Sequence, residues 1–163
     1  MKKKVVFADL DGTLIDTLTG SSFPKGIWDM KIKFDVLDKI REMSPEVLVI
    51  VTNQGGIAIG KVNHENWVKG KIEYLVRAFE EYLGVPVRWV YCPRNSKTDP
   101  YRKPNPGMLD HTCLKILPTL GIVVSKPEML MIGDASGKPG QFSDSDLKCA
   151  ENYGIDYIDV NDL

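Results

Sequence analysis

An α/β three-layer sandwich around a mostly parallel sheet is the fold class this sequence predicts, on three observations. Short apolar runs of strand length recur along the chain, and stretches with helical spacing of apolar residues separate them. Three of the runs also lead into polar residues, at Asp9, Thr52 and Asp134. Alternating strands and helices imply a parallel sheet covered on both faces, and such a sheet collects its ligands beyond the carboxyl ends of its strands.

The elements follow in order. Val5-Val6-Phe7-Ala8 reads as a buried strand ending at Asp9, and the stretch of about 12–30 as a turn followed by a hairpin-like flap. Phe34, Leu37, Ile40 and Met43 recur at spacing three, predicting a helix, and Val47 to Val51 is the second strand, ending at Thr52-Asn53. Trp67, Ile72, Leu75, Val76, Phe79 and Leu83 line one face of a longer helix that Gly84 stops. Val85 to Val90 is the third strand, opening at the Gly84/Pro86 break. Leu109, Cys113, Leu114, Leu117 and Leu120 predict another helix, stopped by Gly121, with its last turn distorted by Pro118. Met129 to Ile132 is the fourth strand, Leu147 to Tyr153 the last helix, stopped by Gly154, and Ile155 to Ile158 a short fifth strand.

Composition sets the outer bounds. The 163 residues suit one domain, 1–163, and 43% hydrophobic with 26% charged residues is ordinary for a soluble globular chain. The longest apolar runs are too short to cross a bilayer, so no membrane partner is expected. Met1-Lys2-Lys3-Lys4 has the look of a signal-peptide start, but Asp9 follows and no small-residue cleavage site does, so it reads as a solvated chain end. Cys92, Cys113 and Cys149 are odd in number and far apart, which predicts no disulfide and a reducing, cytoplasmic location. A net charge of -1 gives no overall basic field, leaving only a local basic rim as a route to nucleic acid.

The chemistry starts at Asp9-Leu10-Asp11-Gly12-Thr13-Leu14. Phosphate-ester hydrolysis needs an oxyanion nucleophile, a proton donor for the leaving oxygen and positive charge on the phosphoryl oxygens. Asp9 and Asp11, two apart at a strand end, can supply the first two, and Gly12 lets the chain turn after them. Two carboxylates would repel a phosphate, so a divalent cation is required. Hard oxygen ligands without thiolate or imidazole point to Mg2+.

That hexapeptide is the first motif of the haloacid dehalogenase (HAD) superfamily, and the chain resembles that superfamily in the rest of its motifs. Thr52-Asn53 is similar to the phosphate-binding hydroxyl motif, Lys103 in Arg102-Lys103-Pro104 to the lysine that neutralises nucleophile and phosphate, and Gly133-Asp134 to the first metal-binding acid. The second acid, usually four residues on, is replaced by Lys138. Ser145-Asp146 opening the last helix restores it at Asp146, within a motif loop of 134–146. Singly, each residue has an ordinary reading, such as a turn for Asp-Gly-Thr or a helix N-cap for Asp146. Four motifs in order at strand ends carry the resemblance. It implies a Rossmann-like HAD fold, catalysis by Asp9, Asp11, Thr52 and Lys103, and metal binding by Asp9, the Asp11 backbone, Asp134 and Asp146. Phosphate binding would fall to Thr52, Asn53, Arg102 and Lys103.

The stretches 12–51 and 53–102 leave no room for a large cap domain, so the site is expected to be open. The chain further resembles the 3′-phosphatase domain of polynucleotide kinase/phosphatase, which removes 3′-phosphates from DNA ends in repair. The matching residues are Asp9 to Ile15, Gly20, Phe23-Pro24, Thr52-Asn53-Gln54, Gly56-Ile57, Gly60-Lys61, Tyr101 to Pro104, Gly107-Met108, Gly133 to Ala135, Gly137, Phe142-Ser143 and Ser145-Asp146. A nucleic-acid 3′-end is therefore the expected partner. Arg94, Lys97, Arg102, Lys103, Lys61 and Lys138 are candidates for a basic rim, and Trp28 for stacking on a base. The competing family is the histidinol-phosphate and heptose-bisphosphate phosphatases, whose zinc loop Cys92-Pro93 resembles in one position only. One cysteine does not make a four-coordinate zinc site, so no zinc is expected. His64 and His111 read as helix-surface residues. No Gly-x-x-x-x-Gly-Lys-Ser/Thr stretch for a kinase occurs. A non-catalytic binding protein on the same fold would show a broken motif, and the sequence shows none.

Overall fold

The computed structural model describes residues 2–58, 60 and 65–163, with Glu65 described in its backbone only. His64 and Lys61 therefore lie outside the described residues. Five strands form one parallel sheet: β1 (Val5–Ala8), β4 (Val47–Asn53), β5 (Val87–Cys92), β6 (Met129–Gly133) and β7 (Asp156–Asp159), in the order β5-β4-β1-β6-β7. β1 is the centre. Val5 pairs in register with Val47 on one side and Met129 on the other, and all four β1 side chains are fully buried.

Alternation along the strands divides the core in two. Val6 and Ala8 face the layer of α1 (Phe34–Glu42) and α2 (Glu65–Leu83), where Leu37, Ile40, Ile72, Leu75 and Phe79 are buried. Val5 and Phe7 face the layer of α3 (Gly107–His111) and α4 (Ser145–Tyr153), where Met108, Leu109, Cys149 and Ala150 are buried. Helices therefore cover both faces, and near-continuous apolar runs such as Val47 to Val51 follow from burial on both sides. Among the described residues no helix is long and apolar enough to cross a membrane.

The expected flap is an antiparallel pair, β2 (Ile15–Thr17) with β3 (Met30–Ile32), joined through a 3₁₀ turn at Ile27–Asp29. Asp29 fastens it: its carboxylate accepts from the backbone N–H of Thr19 and Lys25 and from the Thr19 hydroxyl. Two of the differences from the sequence reading trace to proline. β5 starts at Val87 rather than Val85, because Pro86 has no N–H for the ladder. The helix after it holds α geometry only over α3, widens to a π turn at Thr112–Ile116 and tightens to 3₁₀ at Leu117–Leu120, as Pro118 removes an N–H from its last turn.

Chain direction explains where the polar residues meet. From β1 the chain moves outward to β4 and β5, then returns across the sheet to β6 and β7. The order reverses beside β1, so its tip and those of β4 and β6 border one crevice.

Candidate active site

Asp9 leaves β1 at this crevice, its N–H donating to Ile132 O of β6 at 3.0 Å. Its carboxylate accepts from Lys103 Nζ at 2.9 Å and from the Thr13 hydroxyl at 3.3 Å. Lys103, on the loop after β5, is buried and also donates to Asp146 at 2.7 Å. Asn53, at the end of β4, holds that loop with a reciprocal pair. Its Nδ2 donates to Lys103 O at 3.1 Å, and its Oδ1 accepts from Lys103 N–H at 3.0 Å.

Asp134 follows β6, and Asp146 sits in the first turn of α4. One carboxylate oxygen from each of Asp9, Asp134 and Asp146 lies within 4.8 Å of the others. Two glycines make this approach possible. A Cβ on Gly12 would run into the Asp134 carboxylate, and the residue's φ of +85° is one that side chains disfavour. A Cβ on Gly133 would fall 2.6 Å from Asp146 Cβ. Asp146 is further fixed by the Ala135 N–H, which donates to its Oδ2 at 3.1 Å. The lengthened loop expected ahead of it therefore returns this acid to the cluster.

The cluster carries more negative charge than the protein itself neutralises. Burial, with Asp9 and Asp146 alongside, pushes the Asp134 carboxyl up to about 7. Burial likewise lifts Asp146 to about 6, against the pull of Lys103. Burial alone would lower the Lys103 ammonium, but Asp146 and Asp9 hold it well above the usual lysine value. Three converging oxygen donors with surplus negative charge are what a hard divalent cation requires.

Asp11 points elsewhere. Its carboxylate accepts from Gln54 Nε2 at 3.0 Å and lies 3.4 Å from Lys71 Nζ on α2. Gln54 also donates to Thr52 Oγ1 at 2.9 Å, which leaves the Thr52 hydroxyl proton to point at a ligand oxygen. Sequence reasoning missed Gln54 and Lys71 as parts of the site. A signal existed for Lys71: with Val68 three before and Leu75 four after, it falls on the apolar stripe of α2, where a charge is out of place.

Two clefts of about 720 and 710 Å³ open at this crevice and share Asp11, Phe23 and Phe142. Phe23 is half exposed and Phe142 is 82% exposed. The expected basic rim is only partly assembled. Lys97 and Arg102 line the second cleft, whereas Arg94 is paired with Asp99 and Lys138 with Asp162. Trp28 is exposed on the flap turn. Cys92 is a buried strand-end residue whose thiol lies 3.7 Å from Arg94 O. His111, read from sequence as a bare surface residue, has a partner: its Nδ1 lies 2.7 Å from the Tyr101 hydroxyl.

The sequence model of the family described as Polynucleotide kinase 3 phosphatase matches residues 4–161. The bifunctional polynucleotide phosphatase/kinase of Schizosaccharomyces pombe is 33% identical over 159 residues, an overlap covering 95% of this chain and 36% of that protein. The histidine biosynthesis bifunctional protein HisB of Buchnera aphidicola is 29% identical over 163 residues, covering 95% of this chain and 40% of that protein. The chain thus spans less than half the length of either relative. Among solved structures, D,D-heptose 1.7-bisphosphate phosphatase from B. bronchiseptica, complexed with magnesium and phosphate, shares the fold. The TM-score is 0.68 over 94% of this chain and 78% of that one, at 21% identity.

Proposed function

This chain belongs to the polynucleotide kinase 3 phosphatase family and is a HAD-type phosphatase, and from that premise we propose that it removes 3′-phosphates from polynucleotide ends, DNA first, with magnesium.

Asp9 is the nucleophile in this reading. One of its oxygens attacks phosphorus in line while the bond to the leaving oxygen breaks, giving an aspartyl-phosphate. Asp11 protonates the leaving oxygen and then, as a carboxylate, takes a proton from the water that hydrolyses the intermediate. Lys103, already hydrogen-bonded to Asp9 and Asp146, offers its remaining proton to a phosphoryl oxygen, and the Thr52 hydroxyl, oriented by Gln54, donates to another. Asp9, Asp134, Asp146 and the Asp11 backbone carbonyl would hold the magnesium, which when bound neutralises carboxylate and phosphoryl charge together. Arg102 and Lys97 supply positive charge on the path by which a polyanion would enter.

The observation that carries the substrate choice is the pair Phe23 and Phe142, exposed rings beside Asp11 on both clefts. Apolar rings at the mouth of a site for a charged group suit a substrate whose phosphate is attached to something that stacks. Base–aromatic stacking supplies that with little regard to sequence. The alternative, a small metabolite such as histidinol phosphate or a heptose bisphosphate, is favoured by the HisB similarity along nearly the whole chain.

One comparison decides between them. Oligonucleotides ending in 3′-phosphate or 5′-phosphate are assayed against histidinol phosphate and heptose bisphosphate, each with magnesium. The 3′-phosphorylated oligonucleotide is expected to have the highest kcat/KM, and replacing both phenylalanines by alanine is expected to lower that value while sparing small aryl phosphates. A preference for the sugar or histidinol ester would overturn the substrate choice.

A further inference from the structure

Lys71 lies in the middle of α2, 3% exposed, on the face that also buries Val68, Ile72 and Leu75. Its ammonium is 3.4 Å from both carboxylate oxygens of Asp11. Burying an ammonium is costly unless a partner compensates it, and here Asp11 is the partner. The separation is longer than a tight charge-assisted hydrogen bond, so Lys71 straddles the carboxylate rather than seizing one oxygen. Gln54 supplies the directional contact, at 3.0 Å to Oδ2 alone. Among the described residues the site thus has two buried lysines, on different sides of it. Lys103 lies between Asp9 and Asp146, on the nucleophile and metal side, and Lys71 lies on the acid/base side.

We infer that Lys71, together with Gln54, is a positioning residue for proton transfer: it fixes the orientation of the Asp11 carboxyl and compensates the charge left there when the proton departs. The inference rests on Asp11 being the general acid. In the first half-reaction the Asp9–phosphorus bond forms and the bond from phosphorus to the leaving oxygen breaks. The Asp11 proton passes to that oxygen, so the negative charge an alkoxide would have carried ends on Asp11, beside the Lys71 ammonium. In the second half the attacking water returns a proton to Asp11 as the Asp9–phosphorus bond breaks and inorganic phosphate leaves.

The test uses leaving-group demand. An alkoxide needs a proton as it departs, whereas p-nitrophenolate leaves without one. kcat/KM is measured with magnesium for Lys71→Met, Lys71→Arg, Asp11→Asn and the unaltered protein. The substrates are p-nitrophenyl phosphate and whichever alkyl phosphate the unaltered enzyme cleaves best. Lys71→Met keeps the apolar stem and is expected to lose roughly 100-fold on the alkyl ester, with p-nitrophenyl phosphate nearly unaffected. Lys71→Arg is expected to recover most of the alkyl activity, and Asp11→Asn to show the same selectivity more strongly. Equal losses of Lys71→Met on both substrates would mark a purely structural lysine and overturn the inference, as would no loss on either. If Asp11→Asn is selective and Lys71→Met is not, this inference alone fails. If Asp11→Asn is itself unselective, the acid role of Asp11 fails and takes the inference with it.

Discussion

Asp134 and Asp159 occupy neighbouring strand tips of one sheet, at the ends of β6 and β7, and their surroundings are opposite. Asp159 is encircled by donors. Ser136 Oγ and Gln141 Nε2 reach one oxygen at 2.5 and 2.7 Å, and the Asn161 N–H and Nδ2 reach the other at 2.8 and 3.0 Å. Burial alone would raise its pKa, yet these hydrogen bonds hold it down at about 2. Asp134 faces two other carboxylates, with the Thr13 hydroxyl 3.4 Å away, and is pushed up to about 7. The first arrangement is complete within the protein and ties the loop around Ser136 and Gln141 to β7. The second leaves three carboxylate oxygens facing one another, an arrangement that a bound cation would balance. A carboxylate surrounded by donors anchors structure; one surrounded by carboxylates is a candidate site.

Substitutions separate the two most sharply through activity. Asp9→Asn, inside the carboxylate cluster, is expected to lower magnesium-dependent turnover by on the order of 10⁴-fold or more. Asp159→Asn is expected to stay within a few-fold of the unaltered enzyme. Substantial activity in Asp9→Asn, assayed on p-nitrophenyl phosphate, would remove it as the nucleophile.

Stability should show the reverse ranking, with a smaller effect. Asp159→Ala strands the donors of Ser136, Gln141 and Asn161 and is expected to cost about 3 kcal/mol in denaturant unfolding. Asp134→Asn relieves like-charge repulsion and is expected to stabilise the ion-free protein slightly while weakening magnesium binding, read by calorimetry. A destabilised Asp134→Asn would mean that Asp134 is an anchor like Asp159.

The same contrast also sets the pH dependence. Asp134 and Asp146 titrate near 7 and 6 in the folded chain, above the ordinary 3.8. The folded protein therefore holds more protons than the unfolded one between about pH 4 and 7. Stability of the ion-free protein is expected to fall as pH rises through that window and to level off above it. Asp159 acts in the opposite sense, its contribution lost only as pH falls from 3.8 toward 2. Melting temperatures with chelator at pH 5 and 7.5 check this, and magnesium should recover more stability at pH 7.5. A flat profile would show that the cluster's charge is already balanced.

Much of this is legible in the chain itself. Strand and helix positions are readable because burial on both faces leaves unbroken apolar runs, and helix burial leaves a three-to-four spacing. Asp9, Thr52, Lys103, Asp134 and Asp146 are readable as motifs because each is fixed by its own short segment. Asp146 shows the limit. Its displacement from the usual spacing is visible, but Gly133 opposite it and the Ala135 N–H that seats it are properties of packing. The basic rim is only partly readable because charge alone does not reveal that Asp99 and Asp162 pair with Arg94 and Lys138.

The sequence by itself determined the fold class and the five residues that converge on the β1 tip, since both follow from local patterning and from where a parallel sheet ends its strands. Only the tertiary structure decided which group serves which. Asp9 meets a lysine 94 residues away and Asp11 meets a different one 60 residues away, the second from within a helix whose pattern marks that lysine as out of place but does not name its partner. The reason is physical. Backbone periodicity is set over a few neighbouring residues, but the partner of a buried charge is set by how strand register and helix docking bring distant segments within a few ångströms.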